Sequence, residues 1–497
     1  MFGLFKKNAA ADIVFTGGTI YTQNPEAPLA EAVACKDGRI MAVGDVELIG
    51  QFQSKTTEVV DLAGAFLLPG FIDAGGHPTL RVFQEVCLVL NDDMPLEEVE
   101  AALRRHVADN PEKRSYFAYG FNFELVEALG REEARARLDA ICGDKPVAVL
   151  DSGGMQGWFN NRAIREVKEA IEAEKAADDD DDEEKPLPPL TIPLILSVLS
   201  PFDFDKLREA ILLLAAEYCA KGYTTVFDCG SPDYFQSMYQ EILIEILQED
   251  FLKQRFMGSM LVTKNLDSRY VVGRLMQKKT NCMEVDTFIT FNTLKLVIDP
   301  EAVHKNGLSP DELGALAKAA AERGFDVHID AVCRKGLAAA YAAVALSRAA
   351  GYNSSRFTIA RSLPAEDLSP EDSEEAPDRD PALFEAASTL GDFREAFRDA
   401  ADAESVSEAL DRLTLDAAER LGAGHLIGSV TTNKKADFAI FKEDPLACDW
   451  IGFRNLSAWM TVLDGKIVYN AEEDDPAEWV SQISFQDFDR VEDFDEL

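Results

Sequence analysis

The chain has 497 residues, 47% of them apolar, which is enough for one large domain and a smaller one. Its formal net charge of −40 argues against nucleic acid as a partner, because phosphate contacts need clustered cations. No stretch approaches the roughly 18 uncharged apolar residues of a transmembrane helix, so we predict no membrane span. Its eight cysteines are dispersed without a Cys-x-x-Cys pair, which favours buried free thiols and a cytoplasmic location.

Both ends of the chain show short alternating apolar patterns that are typical of β-strands. Near the start, Asp37-Gly38 separates two such patterns, and this pair is a strong hairpin indicator. Asp464-Gly465 repeats the pattern near the other end. We therefore predict that the two ends build one small β-sandwich.

A buried strand is predicted within Phe66–Leu80, where a short apolar run ends in Asp73 and His77 follows. The segment resembles the opening strand of the amidohydrolase superfamily, in the branch that includes N-substituted formamide deformylase. There the motif Gly-Phe-Ile-Asp-x-His-x-His supplies two histidines that bind a catalytic metal. His77 matches the second of them, and Gly75 stands where the first would be.

Two later strands resemble the same family. Lys295 is a lone lysine in the apolar run Asn292–Asp299, at the position of the family's carboxylated, metal-bridging lysine. A lysine paired with a nearby carboxylate explains it equally well, because burying an unpaired ammonium is costly. Phe325–Val332 resembles the family's His-Ile-His strand, with His328 at the leading histidine and Asp330 in place of the metal-binding one.

The strand Arg356–Arg361 resembles the family motif Arg-His-Arg-Ile-Glu-His, and Arg361 falls on its metal histidine. An arginine cannot ligate a cation, so we interpret Arg361 as a substrate-binding residue. We expect its guanidinium to fill the space of the metal, with Asp330 as its counter-ion. The family's last catalytic aspartate has a faint counterpart in Glu375, and residues 382–421 are predicted to be helical.

The segment after the predicted strand Pro146–Asp151 resembles the family's substrate loop, Gly-His-x-x-Trp-x-Asn-Ser. Trp158 and Asn160 match this motif, and Met155 replaces its histidine. The resemblance implies that these three side chains contact substrate. A tryptophan at such a position is as often a packing residue, so both roles stay open for Trp158.

The resemblance implies an α/β fold, a (β/α)8-type TIM barrel that is shortened or distorted late in the chain. The predicted segments are sandwich residues 1–65 and 424–471, barrel residues 66–423 with an acidic insertion at 174–190, and an acidic tail at 472–497.

In function, the resemblance implies a hydrolase of non-peptide carbon–nitrogen bonds in amides or cyclic amides. The metal ligands that it implies are His77, Lys295 and His328, so we expect one divalent ion, zinc, at a site that has lost several ligands. Asp330 and Glu375 are the candidates for catalytic proton transfer. Activity is expected to be reduced or lost.

Two alternatives remain open. A relocated metal site would combine His77 and His328 with aspartates, namely Asp330 and either Asp299 or Asp228. A non-catalytic protein would instead bind a small molecule or act as a scaffold. The expected partner is a small-molecule substrate or ligand in each case, and homo-oligomerisation stays open.

Overall fold

The structure, a computed structural model, describes residues 10–91, 93–151, 156–177, 190–263, 266–283, 285, 287–299, 307–361, 383–387, 403 and 405–483. Its strands are β1 (Ile13–Tyr21), β2 (Leu29–Lys36), β3 (Arg39–Gly44), β4 (Glu58–Asp61), β5 (Phe66–Pro69), β6 (Phe71–Asp73), β7 (Leu88–Val89), β8 (Tyr116–Phe121), β9 (Val147–Asp151), β10 (Gly157–Phe159), β11 (Tyr223–Ser231), β12 (Arg255–Val262), β13 (Ile289–Ile298), β14 (Asp326–Ala331), β15 (Phe357–Arg361), β16 (Leu383–Ala387), β17 (Phe438–Phe441), β18 (Met460–Leu463) and β19 (Lys466–Asn470). Its helices are α1 (Val46–Gly50), α2 (Pro78–Val86), α3 (Leu96–Asp109), α4 (Glu124–Glu127), α5 (Arg131–Cys142), α6 (Asn161–Ala177), α7 (Ile192–Leu199), α8 (Phe204–Ala220), α9 (Asp233–Gln248), α10 (Ser268–Asn281), α11 (Pro310–Glu322), α12 (Arg334–Ala349), α13 (Val406–Leu413), α14 (Leu415–Arg420) and α15 (Trp450–Asn455).

Strands from both chain ends pair in one eight-stranded sheet, in the order β19-β18-β17-β5-β1-β2-β3, with β4 beside β1. The ends meet where β17 pairs antiparallel with β5, so that Phe438 lies opposite Pro69. The predicted hairpin at Asp37-Gly38 joins β2 to β3, and Gly38 has the positive φ of 72° that glycine adopts at little cost. Pairing of the two ends is thus confirmed, and the two-layer sandwich stays a prediction.

A second sheet has seven parallel strands, in the order β16-β15-β14-β13-β12-β11-β6. β11 is buried at each of its nine positions, as expected for a parallel strand that is covered on both faces. The helices between the later strands pack onto the sheet, and Leu316 and Ala340 share one apolar cluster with Leu296 and Ile329. The predicted α/β class is confirmed, with seven strands of a parallel sheet among the described residues.

The strand predicted at Pro146–Asp151, within the residues assigned to the barrel, lies in another sheet. β8 and β9 pair with β7 and β10 in a four-stranded sheet. They belong to a compact unit formed mainly by Leu80–Ile211, whereas the seven-stranded sheet lies in a unit of Met1–Thr79, Leu212–Ser231 and Gln240–Ile483. Local periodicity predicts a buried strand, but not the sheet in which that strand will pair.

The expectation of helix throughout residues 382–421 is wrong at its start. Leu383–Ala387 forms β16, which pairs in parallel with β15, and Phe384 lies opposite Thr358. The pairing edge offered by β15 outweighs the local helix propensity of this alanine-containing segment. Helix follows further on, at α13 and α14.

Among the described residues, no helix is both long enough and apolar enough to cross a membrane.

Candidate functional site

Four ionisable side chains meet on the seven-stranded parallel sheet. β11 supplies Cys229, β13 supplies Lys295, and β14 supplies His328 and Asp330. The two β14 residues are two positions apart and therefore face the same side of the sheet. The register between β13 and β14 places Lys295 directly beside His328. We call these four residues the charged cluster.

The charged cluster is held by short polar contacts. Lys295 Nζ lies 2.6 Å from Asp330 Oδ1 and 3.3 Å from Cys229 Sγ. His328 Nε2 lies 3.5 Å from Cys229 Sγ and 3.5 Å from Asp330 Oδ1. Lys295 is 2% exposed, His328 4% and Cys229 5%, whereas the Asp330 side chain is 22% exposed. Asp330 is therefore the most exposed member of the cluster.

A backbone irregularity in β11 makes room for the lysine. The register between β11 and β12 shifts between Asp228 and Ser231, as at a β-bulge. Gly230 lies within this shift with φ of +95°, and a Cβ there would lie 2.8 Å from Lys295 Cγ. The carbonyl of Gly230 accepts a hydrogen bond from His77 Nδ1 at 2.9 Å. His77 is thus tied to the backbone next to the cluster.

Charges within the cluster outweigh the effect of burial on its cations and its thiol. Burial raises the pKa of Cys229, but the positive charges of His328 and Lys295 bring it below the ordinary value of 9.0. Burial lowers the pKa of Lys295, but Asp330 and Cys229 bring it above its ordinary value. The pKa of His328 is shifted in the same direction as that of Lys295. Burial lowers it, but Cys229 and the hydrogen bond with Asp330 bring it above its ordinary value.

The same balance governs the carboxylate. Burial raises the pKa of Asp330, but Lys295 and His328 hold it well below its usual range. All four shifts run towards the ionised form of the group. If all four groups are ionised, two cations face two anions and the buried charge sums to zero, which is the condition for keeping ionised groups inside a protein.

The described residues do not fit the divalent metal that the resemblance implied. The space between Asp330 and Cys229 is filled by the Lys295 ammonium, which would repel a second cation. The metal roles predicted for His77 and His328 thus gain no support from geometry, and the pairing of Lys295 with a carboxylate is confirmed.

The relocated metal site also lacks the necessary geometry. Asp228 accepts hydrogen bonds from Thr79 Oγ1 at 2.8 Å and from Ser231 Oγ at 2.9 Å. Its backbone carbonyl accepts another from Ser259 Oγ at 2.8 Å. Within the described ranges, no three His, Cys, Asp or Glu side chains are arranged to hold a metal ion.

The expected pairing of Asp330 with Arg361 stays a prediction. Asp330 pairs with Lys295, because the register of adjacent strands brings that lysine to it. The backbone of Arg361 pairs with Ala331, and its side chain lies outside the described part of the chain. Glu375 and Met155 also lie outside the described residues.

Trp158 and Asn160 lie in the other compact unit and have structural contacts there. Trp158 is 2% exposed and donates from Nε1 to the Ala134 carbonyl at 2.7 Å. Asn160 is fully buried; its Nδ2 donates to the Lys145 carbonyl at 2.9 Å, and its Oδ1 accepts from the Val147 amide at 3.1 Å. Their contact with substrate stays a prediction.

Cys229 is the member of the cluster that sequence reasoning missed as a functional residue. It was interpreted only as one of several buried thiols. One feature of the sequence could have indicated its role. Cys229 lies in the second half of a predicted strand, and that strand ends at the same sheet edge as the strands of Lys295 and His328. Its neighbours are 66 and 99 residues away in the chain, so no local pattern reveals them.

Comparisons with known proteins agree with the fold. The model of the amidohydrolase family matches residues 58–371 and 381–469. The chain is 33% identical over 168 residues to the exoenzymes regulatory protein AepA of Pectobacterium carotovorum subsp. carotovorum, covering 33% of this chain and 36% of that protein. It is 26% identical over 156 residues to the N-substituted formamide deformylase of Arthrobacter pascens, covering 31% and 28%. The chain thus spans about a third of the length of these curated relatives.

A similar solved structure is an adenosine deaminase from Xanthomonas campestris with bound zinc. The TM-score is 0.52 at 16% identity, and the match covers 96% of this chain and 97% of that one. At this identity, the likeness shows the shared fold.

Proposed function

We propose that this chain, which belongs to the amidohydrolase family, is a hydrolase that acts on the non-peptide carbon–nitrogen bonds of amides or cyclic amides. The observation that supports this most is the charged cluster on the parallel sheet, with Cys229 and Lys295 in the C-terminal halves of their strands. Barrels of parallel strands keep their reactive groups towards that end. A buried group of four ionisable side chains is a costly way to stabilise a fold, so it favours a chemical role.

The cluster contains the group types that amide hydrolysis needs. The reaction requires a nucleophile at the carbonyl carbon and an acid that protonates the leaving nitrogen. His328 is the candidate acid, since its raised pKa favours the imidazolium. Asp330, which the resemblance made a candidate for proton transfer, instead neutralises Lys295 and His328.

Amine release tests this function directly. Purified protein is incubated with a panel of formamides, linear amides and cyclic ureas, and the amine or ammonia released is measured. We expect turnover by wild type and a loss of about 100-fold in kcat/KM for His328→Gln, because the acid is removed. Asp250→Asn is the control, since Asp250 is exposed and pairs with Lys466 at the surface. Absence of release from every compound contradicts the proposal.

Metal content is measured on the same preparation. We expect well below one zinc per chain in protein purified without chelators, and no change in His77→Ala. About one zinc per chain that is lost in His77→Ala would contradict our interpretation of the cluster. It would restore the metal-dependent reaction that the family resemblance implied.

A second candidate function is non-catalytic binding of a small molecule, or a scaffold role. The observation that favours it is the 2.6 Å pair of Lys295 and Asp330, where the family resemblance implied a metal ligand. Thermal stabilisation by amides of the panel without amine release would select this alternative.

A cytoplasmic location is part of the same proposal. All eight cysteines are free thiols, which suits a reducing compartment.

A further inference from the structure

We propose that the outer face of α10 is the docking surface for a segment of this same chain, residues 484–497. We call these residues the acidic segment, and the solvent-facing side of α10 with the turn after it the α10 face. The proposal concerns an interaction surface and does not depend on the hydrolysis proposed above. Its basis is that both sequences carry apolar side chains at regular spacing and that their charges are opposite.

Three large apolar side chains of the α10 face are exposed. Tyr270 is 58% exposed, Met276 43% and Met283 67%. Gly273 lies between the first two, and a Cβ there would meet no atom within 4 Å, so another segment can approach the helix closely at this point. Scattered exposed apolar residues are ordinary, but several on one face favour a site of interaction.

The charge of α10 is opposite to that of the chain as a whole. The helix contains four cationic residues and no anionic one, whereas the chain has a net charge of −40. Lys278 is buried, and Arg269 pairs with Asp267 at 3.2 Å. Because successive residues are about 100° apart around a helix, Arg274 and Lys279 lie on opposite sides of the α10 face. The α10 face therefore combines exposed apolar side chains with cations at its margins.

The acidic segment has the complementary composition. Its sequence, SFQDFDRVEDFDEL, contains six carboxylates and one arginine. Apolar residues occur at every third position, namely Phe485, Phe488, Val491, Phe494 and Leu497. A spacing of three to four residues favours an arrangement with the apolar side chains on one side and the charges on the other. Residues 484–497 lie outside the described part of the chain, so their placement is a proposal.

The structure fixes the chain just before the acidic segment. Trp479 is fully buried, its ring lies edge-on to that of Phe251 at 5.7 Å, and Lys253 Nζ lies 4.2 Å from the ring centre. Phe251 and Lys253 precede β12, which α10 follows. The amide of Phe256 in β12 donates to the carbonyl of Phe288 at 2.7 Å, so the chain that leaves α10 returns to the start of β12. Trp479 and the C-terminal end of α10 therefore lie at the same end of β12.

The length of the acidic segment suits this surface. Its fourteen residues reach about 46 Å when extended, whereas α10, also of fourteen residues, spans about 21 Å. A tethered segment has an effective concentration of about 1 mM at a site within its reach, so a contact with a dissociation constant of about 0.2 mM is occupied most of the time. A second copy of α10 is a less suitable occupant, because two cationic helices repel each other.

Oxidation of methionine measures whether the α10 face is covered. Hydrogen peroxide transfers one oxygen atom to the thioether sulfur and is reduced to water. The whole chain and a variant that ends at Ile483 are treated at about 0.02 M salt, and each methionine sulfoxide is quantified by peptide mass spectrometry. We expect Met276 and Met283 to be oxidised about fivefold more slowly in the whole chain, because the docked segment shields them. Met94, which lies in the other compact unit, should react at the same rate in both proteins.

Charge substitutions distinguish docking from other effects of removing the segment. Asp489→Lys combined with Glu492→Lys should raise the oxidation of both methionines to nearly the rate of the shortened chain, because cations then face the cationic margins of the α10 face. Asp179→Lys combined with Asp181→Lys is the matched control, since it makes the same change of net charge in the acidic insertion. It should leave the oxidation rates unchanged.

Equal oxidation of Met276 and Met283 in the whole and the shortened chain would overturn the proposal. Carbodiimide, which joins amines to carboxylates, provides a second test on a mixture of unlabelled and isotope-labelled protein. Cross-links from Lys279 to the acidic segment that form only within one chain support the proposal. Cross-links that join labelled to unlabelled peptides show docking onto a second copy, and this result also contradicts it.

Discussion

At the scale of single residues, the pair of Lys295 and Asp330 best illustrates how charge is kept inside this protein. Lys295 is 2% exposed, and its ammonium lies 2.6 Å from Oδ1 of Asp330 and 3.3 Å from the sulfur of Cys229. Such a pair adds little net stability compared with apolar residues, but removal of one partner leaves an uncompensated buried charge. The main effect of the pair is therefore to hold the Lys295 ammonium in a fixed position, and its net contribution to stability is small.

Replacement of the Asp330 carboxylate should reveal the free-energy cost of burying Lys295 without a counter-ion. We expect Asp330→Asn to lower the free energy of unfolding by about 3 kcal/mol, because Lys295 is left buried without its main counter-ion. Urea unfolding measures this change. Asp250→Asn removes a comparable pair at the surface and should cost less than about 1 kcal/mol. Equal effects of the two substitutions would contradict a buried, tightly coupled pair.

The same pair predicts a dependence on pH. The pKa of Asp330 is lower in the folded protein than its ordinary value of 3.8, so its ionised form is stabilised by folding. Its contribution is complete above pH 3.8 and is lost as pH falls from there through the folded pKa. The difference in stability between wild type and Asp330→Asn should therefore shrink below about pH 4, a window that acid unfolding of the two proteins can check.

At the scale of secondary-structure elements, the irregularity in β11 lies beside Lys295. Gly230 lies within this register shift, and its lack of a side chain leaves space for the lysine. Glycine is required there on two grounds, its φ of +95° and the close approach of Lys295 Cγ.

Two glycine-to-alanine substitutions can test whether position 230 requires glycine. The second substitution measures the effect of alanine on stability where space is available. We expect Gly230→Ala to destabilise the protein by about 1–3 kcal/mol, because the new Cβ would lie 2.8 Å from Lys295 Cγ at a strained φ. Gly273→Ala should stabilise by about 0.8–1 kcal/mol, since Gly273 lies inside α10 and a Cβ there meets no atom within 4 Å. Thermal or urea unfolding of both variants provides the comparison. A neutral Gly230→Ala would show that Lys295 does not need this space.

At the scale of the whole molecule, the dominant property is the net charge of −40. Like charges on a compact chain repel one another, and dissolved salt screens that repulsion over about 10 Å at 0.1 M. The charged cluster is buried, so its interactions are much less sensitive to salt.

The expected result is a melting temperature that rises with salt. Between about 0.02 M and about 0.3 M sodium chloride we expect an increase of a few degrees, measured by calorimetry. The difference in stability between wild type and Asp330→Asn should stay the same across this range. A melting temperature that falls with salt would indicate that surface ion pairs outweigh the repulsion.

Many secondary-structure elements of this protein could be predicted from the sequence, because the patterns that indicate them lie within short segments. Apolar runs and turn residues located many of the strands, among them those predicted at Pro146–Asp151 and Arg356–Arg361, which the structure shows as Val147–Asp151 and Phe357–Arg361. The motif around His77, together with Lys295 and His328, led to the amidohydrolase family, because each motif occupies one short segment. Predictions failed where a segment depended on its partner, as at Leu383–Ala387, whose strand conformation follows from pairing with β15.

The sequence by itself determined the α/β class, the order of the elements and the residue types at the ends of the strands, since these follow from local periodicity and composition. Only the tertiary structure decided that Asp330 pairs with Lys295 and that two cations surround Cys229. The physical reason is register: contacts between parallel strands join residues that are tens of residues apart, and a shift in pairing changes every neighbour. Chemistry built on such contacts is visible only once the strands are aligned.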